Sequence, residues 1–274
     1  MYSERISSRT GHPYRVDVRD MGRIRYAEML NIQRELFSEM TERKKRGEAT
    51  EIETLFIVEH EPVITLGRHA HRENLLLPEE VLNARGIDVH AIERGGDITY
   101  HGPGQLVVYP LIDLEKHHLG VKDYVDILEE AVIRTIAKYG IKGERVEGAS
   151  GVWIGVGTPR ERKICALGIK CSRFVTMHGL ALNVNTEMDG FSLINPCGFT
   201  DKGVTSMRLE TAQSSIPLSD VAATLTTHLL SLLSSFFSKY FMNFELSSSS
   251  PSAQAFISKP MKACCIYLIP GQNR

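Results

Sequence analysis

One thiol in the chain sits in a setting that packing alone does not require. In Ile194-Asn195-Pro196-Cys197-Gly198-Phe199, Cys197 lies between a proline and a glycine, both turn formers, so its backbone is expected to be held rigid. A free thiol titrates near roughly 8.5 and is mostly protonated at neutral pH unless a cation or a base sits beside it. Lys163, in Arg162-Lys163-Ile164-Cys165-Ala166-Leu167-Gly168, is a candidate for either job. Its ammonium can stabilise a thiolate, or, desolvated, its amine can take the thiol proton. Spacing alone does not bring the two residues together. Taken one by one, the plainer readings win: a lysine on an edge strand and a buried structural cysteine. Two His-Gly pairs, His101-Gly102 and His178-Gly179, each flank an apolar β-type run. A cysteine–histidine pair is therefore a competing assignment.

The densest candidate is Glu93 to Leu106, ERGGDITYHGPGQL, with four glycines just ahead of a strongly apolar run. Glycines at that density let a backbone pass close to a ligand and present its N–H groups. A plain hairpin loop has no need of Arg94, Asp97, Thr99, Tyr100 and His101 together, so the segment is read as functional. It is not a phosphate-binding loop, because neither GxGxxG nor a terminal GKS/T is present. His69 and His71 lack carboxylates at helical spacing, and no metal site is expected there.

The elements that must position these residues are legible from periodicity. Apolar residues recur at helical spacing from about Ile24 to Met40, and the charged TERKKRGEAT that follows reads as a helix end and loop. Thr54 to His60 reads as a strand closing on Glu61-Pro62, and the stretch with Gly67, Arg68, His69 and His71 as a loop. Gln105 to Leu114 is apolar nearly throughout, which implies a strand buried on both faces. Lys122 to Gly140 predicts a helix capped by Asp123, striped by Val125, Leu128, Val132 and Ile136, and closed by Gly140. GVWIGV, RKICALGIK and MHGLALNVN are three more β-type runs. A last helix is expected from Ser219 to Phe241, with Val221, Leu225, Leu229, Leu232, Phe236 and Tyr240 on one side. Strands outnumber helices in the middle of the chain, so the fold class is α+β with a mixed sheet flanked by helices.

Bulk properties bound the partners. The chain has 274 residues with 32 Lys+Arg against 33 Asp+Glu, so no global basic field draws it to nucleic acid. Five cysteines without CxxC spacing argue against a disulfide framework and a zinc site, and for a reducing compartment. The basic N-terminus has no apolar run after it, so a cytoplasmic protein without a membrane segment is expected. The expected organisation is an N-terminal extension over 1–20, a catalytic domain over 21–245, and a disordered Ser-rich tail over 246–274.

Taken in order, RGGDITYHGPGQLVVYPLIDL, GVWIG, RKICALGIK, HGLALN, NPCGF and KGVTS resemble the lipoyl(octanoyl) transferases of lipoate biosynthesis, in their bacterial branch. The resemblance runs from about Gly22 to Glu210 and fails in the tail. It implies a fold shared with biotin and lipoate protein ligases. It also implies a reaction: an octanoyl group passes from octanoyl-acyl carrier protein to a lysine of a lipoyl domain. The acceptors implied are the lipoyl domains of 2-oxoacid dehydrogenase E2 subunits and the glycine cleavage H protein, and no cofactor is required. Cys197 is the implied nucleophile, carrying the acyl chain as a thioester, and Lys163 lowers its pKa. The implied acyl pocket takes Arg94, Gly95, Gly96, Asp97, Ile98, Thr99, Tyr100 and His101 from the glycine-rich segment. Ala166, Leu167 and Gly168 join it, with Gly179, Leu180 and Ala181. An ATP-dependent lipoate protein ligase and a non-catalytic acyl-binding module are the alternatives. Whether Lys163 or a histidine accepts the proton stays open.

Overall fold

The computed structural model describes residues 16–50, 52–195 and 203–248, with 236–248 given by backbone alone. The first half of the chain runs β1 (Val16–Ile24), α1 (Tyr26–Lys45), β2 (Glu53–His60), β3 (Val63–Leu66), α2 (Glu79–Ala84), β4 (Asp88–Ala91), β5 (Ile98–His101) and β6 (Gln105–Leu111). The second runs α3 (Val121–Ala137), β7 (Glu144–Val146), β8 (Ala149–Ile154), β9 (Arg162–Ser172), β10 (Val175–Asn183), β11 (Gly203–Val204), α4 (Met207–Thr211) and α5 (Leu218–Ser248). The main sheet has the order β1-β2-β6-β10-β9-β8-β7, with β11 paired to β9, and a small sheet has the order β4-β3-β5. Both β1 with β2 and β11 with β9 run parallel while the other main-sheet pairs are antiparallel, so the sheet is mixed as expected.

Period-two alternation assigns the two faces of the main sheet. Leu55, Ile57, Leu106, Val108, Leu180 and Leu182 pack with Leu128, Val132, Leu225 and Leu229 of α3 and α5. Phe56, Val58, Val107, Tyr109, Met177 and Ala181 pack with Met29, Leu30, Phe37 and Met40 of α1. All seven residues of β6 are buried, as a strand covered on both faces requires. Each fully buried Leu, Val or Phe contributes about 1.5–3 kcal/mol before the entropy of ordering it.

Several expectations shift. The helix α1 continues through TERKK to Lys45, because nothing in that run breaks a helix before Gly47. Asp123 does not occupy the cap of α3: the helix starts after Gly120, and Asp123 Oδ2 accepts the Gly120 N–H at 3.2 Å from the first turn. Gly140 does take the left-handed backbone beyond the end, with φ +76°. The stretch read as a loop from Val63 begins with β3, which pairs with both β4 and β5, and the loop itself starts at Gly67. Lys163 is not on an edge strand, since β9 lies between β8 and β10. The helix α5 reaches Ser248, and the remainder of the predicted tail and the first fifteen residues lie outside the described residues. No helix among the described residues is long and apolar enough to cross a membrane.

Pro110, inside the central strand β6, cannot donate to a ladder. The sheet accommodates it opposite an irregularity in β10. Pairing holds from Asn183↔Gln105 to Leu180↔Val108 and resumes where Thr176 N–H meets Ile112 O at 2.9 Å. Between them His178 adopts φ +62° and turns its N–H out of the sheet to Gln33 Oε1 of α1 at 3.1 Å. A Cβ on the next residue, Gly179, would stand 2.1 Å from Val108 O, so only glycine fits there.

Candidate active site

The site is assembled on the α1 face of β9 and β10. Register places Ala166 opposite Ala181, Leu167 opposite Leu180 and Gly168 opposite Gly179, so six predicted pocket residues form one contiguous antiparallel patch. Their side chains divide between faces. Leu167 and Leu180 pack into the core under α3 and α5, leaving the small residues at 166, 168 and 181 on the other side.

The Arg94–Asp97 loop lies against this patch. Gly95 N–H donates to Ile169 O of β9 at 2.9 Å, so that amide is committed and cannot also stabilise an oxyanion. On the other side, the Arg68 and His69 N–H groups donate to Arg94 O and Gly96 O at 3.0 and 3.2 Å. The approach is close enough to exclude side chains: a Cβ at Gly67 would lie 2.3 Å from Gly96 O, and one at Gly168 would lie 2.9 Å from Gly95 O. Arg94 is 8% exposed. Its guanidinium donates to Thr65 O at 2.7 Å, to Thr65 Oγ1 at 3.0 and 3.3 Å, and to Gly95 O at 3.0 Å.

The remaining residues of the segment have separate jobs. Asp97 accepts from Asn74 Nδ2 at 2.8 Å and from the His71 N–H at 3.3 Å. Asn74 O in turn accepts the Asn195 N–H at 2.8 Å, so Asp97 helps to anchor the residue two positions before Cys197. Ile98 and Tyr100 are buried in the core of the small sheet, where the Tyr100 ring meets Phe191 edge-on at 5.5 Å. Thr99 pairs with Thr65 across β5 and β3. His101 is buried, with Nδ1 2.7 Å from Gln105 Oε1 and Nε2 3.4 Å from Thr65 Oγ1.

Cys197 lies outside the described residues. Both flanks of its segment are placed. Asn195 is tied to Asn74, and Ile194 bridges Leu75. On the far side Gly203 pairs with Arg162, Val204 with Lys163, and Thr205 N–H donates to Lys163 O at 3.0 Å. The Lys163 ammonium stands 4.5 Å from the centre of the Trp153 ring, a cation–π contact, and its Cε passes over Gly151.

Histidines gather under α1. His60, His101 and Tyr26 form a ring cluster with centroids 5.1–6.0 Å apart, and Tyr109 donates to His60 Nε2 at 2.8 Å. Neither ring nitrogen of His178 has a hydrogen-bond partner among the described residues. Burial drives all three imidazoles toward the neutral form, His60 to about 4 and His101 and His178 to about 3. At the rim, hydrogen bonds from Arg34 hold the Glu93 carboxyl down at about 2, with Lys170 3.3 Å away.

The histidines predict acid sensitivity. In the unfolded chain they take up protons below about 6.5, whereas folded imidazoles do so only near 4 and 3. Their contribution is therefore complete above pH 6.5 and lost as pH falls through that window. Each is worth about 1.4 kcal/mol per pH unit, the three together about 4. Urea midpoints between pH 7 and 5 should fall steeply, and a flat dependence would show that these rings are not kept neutral.

Sequence reasoning missed Thr65 and Asn74 and placed Gly67 in a loop without giving it a role; all three acquire one only through contacts with the Arg94–Asp97 loop. Gln105 stood inside the HGPGQL motif, and Asn183 inside HGLALN, but neither had an assigned partner.

A family model, the lipoyl protein ligase A/B catalytic domain, matches residues 25–230. The chain is 55% identical over 192 residues to the octanoyltransferase of Parabacteroides distasonis, covering 70% of this chain and 86% of that protein. It is 51% identical over 214 residues to the octanoyltransferase of Bacteroides thetaiotaomicron, covering 78% and 93%. Among solved structures, the bipartite lipoate protein ligase of Thermoplasma acidophilum superposes with a TM-score of 0.58 at 17% identity, covering 80% of this chain and 83% of that one. Lipoate-protein ligase A bound with ATP gives 0.56 at 17% identity, covering 80% and 85%. At such identity these two structures show a shared fold.

Proposed function

Because this chain belongs to the family of lipoyl protein ligase A/B catalytic domains, among its octanoyltransferases, we propose that it moves an octanoyl group from acyl carrier protein to a lipoyl-domain lysine through a thioester on Cys197. The observation that carries this reading is the convergence on β9: the Arg94–Asp97 loop lies on Gly168, and the strand after Cys197 is paired with Lys163.

The Cys197 thiolate attacks the carrier thioester carbonyl, a sulfur–carbon bond forms, and the carrier leaves as a thiol after taking a proton. One thioester replaces another, so the step is nearly isoenergetic and needs no ATP. The acceptor lysine amine then attacks the acyl-enzyme, the amide forms, and Cys197 leaves as thiolate while a base takes the amine proton. Lys163 serves in both steps: its ammonium stands beside the thiolate and gives its proton to the departing carrier thiol, and the neutral amine left behind accepts the proton of the attacking lysine, which restores the starting state. The small side chain of Ala166, partly exposed opposite Ala181, leaves room for a saturated chain beside the loop that covers Gly168. The acceptors are the lipoyl domains of 2-oxoacid dehydrogenase E2 subunits and the glycine cleavage H protein.

The test is incubation with octanoyl-acyl carrier protein and an apo-lipoyl domain without ATP, read by intact mass. The expected result is an octanoyl adduct on the acceptor lysine and a hydroxylamine-sensitive adduct on Cys197. Modification that demands ATP and free octanoate, or an inert thiol with no acceptor adduct, overturns the reading.

A further inference from the structure

A hydrogen-bond chain beneath the Arg94–Asp97 loop has a direction that its ends dictate. Asn183 Nδ2 donates to Thr205 O at 2.9 Å, and Gln105 Nε2 donates to Tyr100 O at 3.2 Å. Backbone carbonyls only accept, so both amides are oriented without ambiguity. Gln105 Nε2 also donates to Asn183 Oδ1 at 2.9 Å, which leaves Gln105 Oε1 as the acceptor facing His101 Nδ1 at 2.7 Å. His101 Nδ1 must therefore carry the proton, and Nε2 must hold a lone pair.

The other end agrees independently. Thr65 Oγ1 accepts twice from Arg94, at 3.0 and 3.3 Å, so its single proton is directed to His101 Nε2 at 3.4 Å. With the proton on Nε2 instead, the Thr65 oxygen would face three donors and its own proton would lose its acceptor. Arg94, whose guanidinium also grips Gly95 O at 3.0 Å, would be pushed off Thr65, and the loop would move with it.

We infer that Gln105 and Asn183 are positioning residues for acyl transfer: they hold His101 as its Nδ1–H tautomer, so that Nε2 accepts from Thr65 and Arg94 stays fixed under the acyl loop. The inference rests on the reading of Arg94–His101 as the loop that meets the acyl thioester. The chain also runs on to the nucleophile's side of the site, since Thr205 N–H binds Lys163 O. A buried network that merely stiffened the fold would not depend on where the imidazole proton sits.

The groups facing His101 are Tyr26 of α1, stacked at 6.0 Å, His60 of β2 at 5.9 Å, the Arg94 guanidinium and, farther off, His178 of β10. Arg94 is the one permanent charge in that set, and it opposes an imidazolium. Replacing Gln105→Glu puts a carboxylate on Nδ1 that stabilises the doubly protonated ring and so removes the Nε2 acceptor as pH falls.

Two measurements test this. The imidazole nitrogen spectrum of the wild-type protein near pH 7, with His101 assigned, should show a pyrrole-type Nδ1 and a pyridine-type Nε2. The Gln105→Glu variant should show an acid limb in kcat/KM for octanoyl transfer that begins at higher pH than the wild type's limb, which is set by the Cys197 thiolate alone. On that limb the loss approaches about tenfold per pH unit and is recovered at alkaline pH. A wild-type protein that transfers octanoate but carries the proton on Nε2 overturns the inference, as does a folded variant with the wild-type pH profile. If the variant does not fold, the wild-type spectrum decides alone. A wild-type protein that transfers nothing overturns the functional reading, and the role in transfer with it, whatever the spectrum shows.

Discussion

The Cys197→Ala variant is expected to transfer no octanoyl group above background, a loss of about 10⁴-fold or more, and to form no adduct with octanoyl-acyl carrier protein. The reason is chemical: alanine leaves no atom that can carry the chain between two proteins. The substitution removes one sulfur, so far-ultraviolet circular dichroism and the thermal midpoint should stay close to wild type. The loss should appear in both half-reactions, because the same atom receives the chain and releases it. Transfer at the wild-type rate by this variant would mean direct attack of the acceptor lysine on the carrier thioester. The double-displacement kinetics expected of the wild type would then be absent too.

Replacing Lys163→Met should reduce transfer by about 10²–10³-fold and raise the pH at which Cys197 becomes reactive. Methionine retains most of the stem that passes over Gly151 and approaches Trp153, so the change chiefly deletes a charge. Without that cation the thiol returns toward its ordinary value near roughly 8.5, and thiolate at neutral pH becomes scarce. The sign follows directly. The wild-type alkylation rate should reach half its plateau at a lower pH than the variant rate, and alkaline pH should restore alkylation to the variant. Transfer should recover only in part, because the amine-attack step still lacks a proton acceptor. Trp153 is the chain's single tryptophan, so its fluorescence reports locally on whether the variant keeps its packing. An unchanged alkylation profile in a folded variant would reduce Lys163 to a structural residue and transfer the acid–base role to a histidine.

How much of this was legible before the fold was known differs from element to element. The helix α3 was readable because Val125, Leu128, Val132 and Ile136 repeat at the helical period, and all four are buried. Its start was not, because Asp123 has the chemistry of a cap yet Gly120 occupies that position. A polar side chain can serve an N-terminus from the first turn as well as from the cap, and one sequence does not distinguish them. β3 was hidden inside an apparent loop because four residues are too few for alternation to show. Pro110 argues locally against a central strand, and only its partner β10, with the backbone twist at His178 and the bare Cα of Gly179, explains how the sheet takes it.

The sequence by itself determined which residue types were available, their order, and the family to which that order belongs: a thiol between turn formers, a lysine in a β-type run, and a glycine-rich segment with an arginine and a histidine. It also determined the faces of most helices and strands, because burial obeys the local periods of 3.6 and 2. The tertiary structure decided what those residues do to one another. Register laid Ala166, Gly168 and Ala181 on one face and sent Leu167 and Leu180 to the other. The path of the chain brought Thr65, His101, Gln105, Asn183 and Thr205 into a single directed chain of hydrogen bonds. Hydrogen-bond direction and proton position depend on partners distant in sequence, and no local period encodes them.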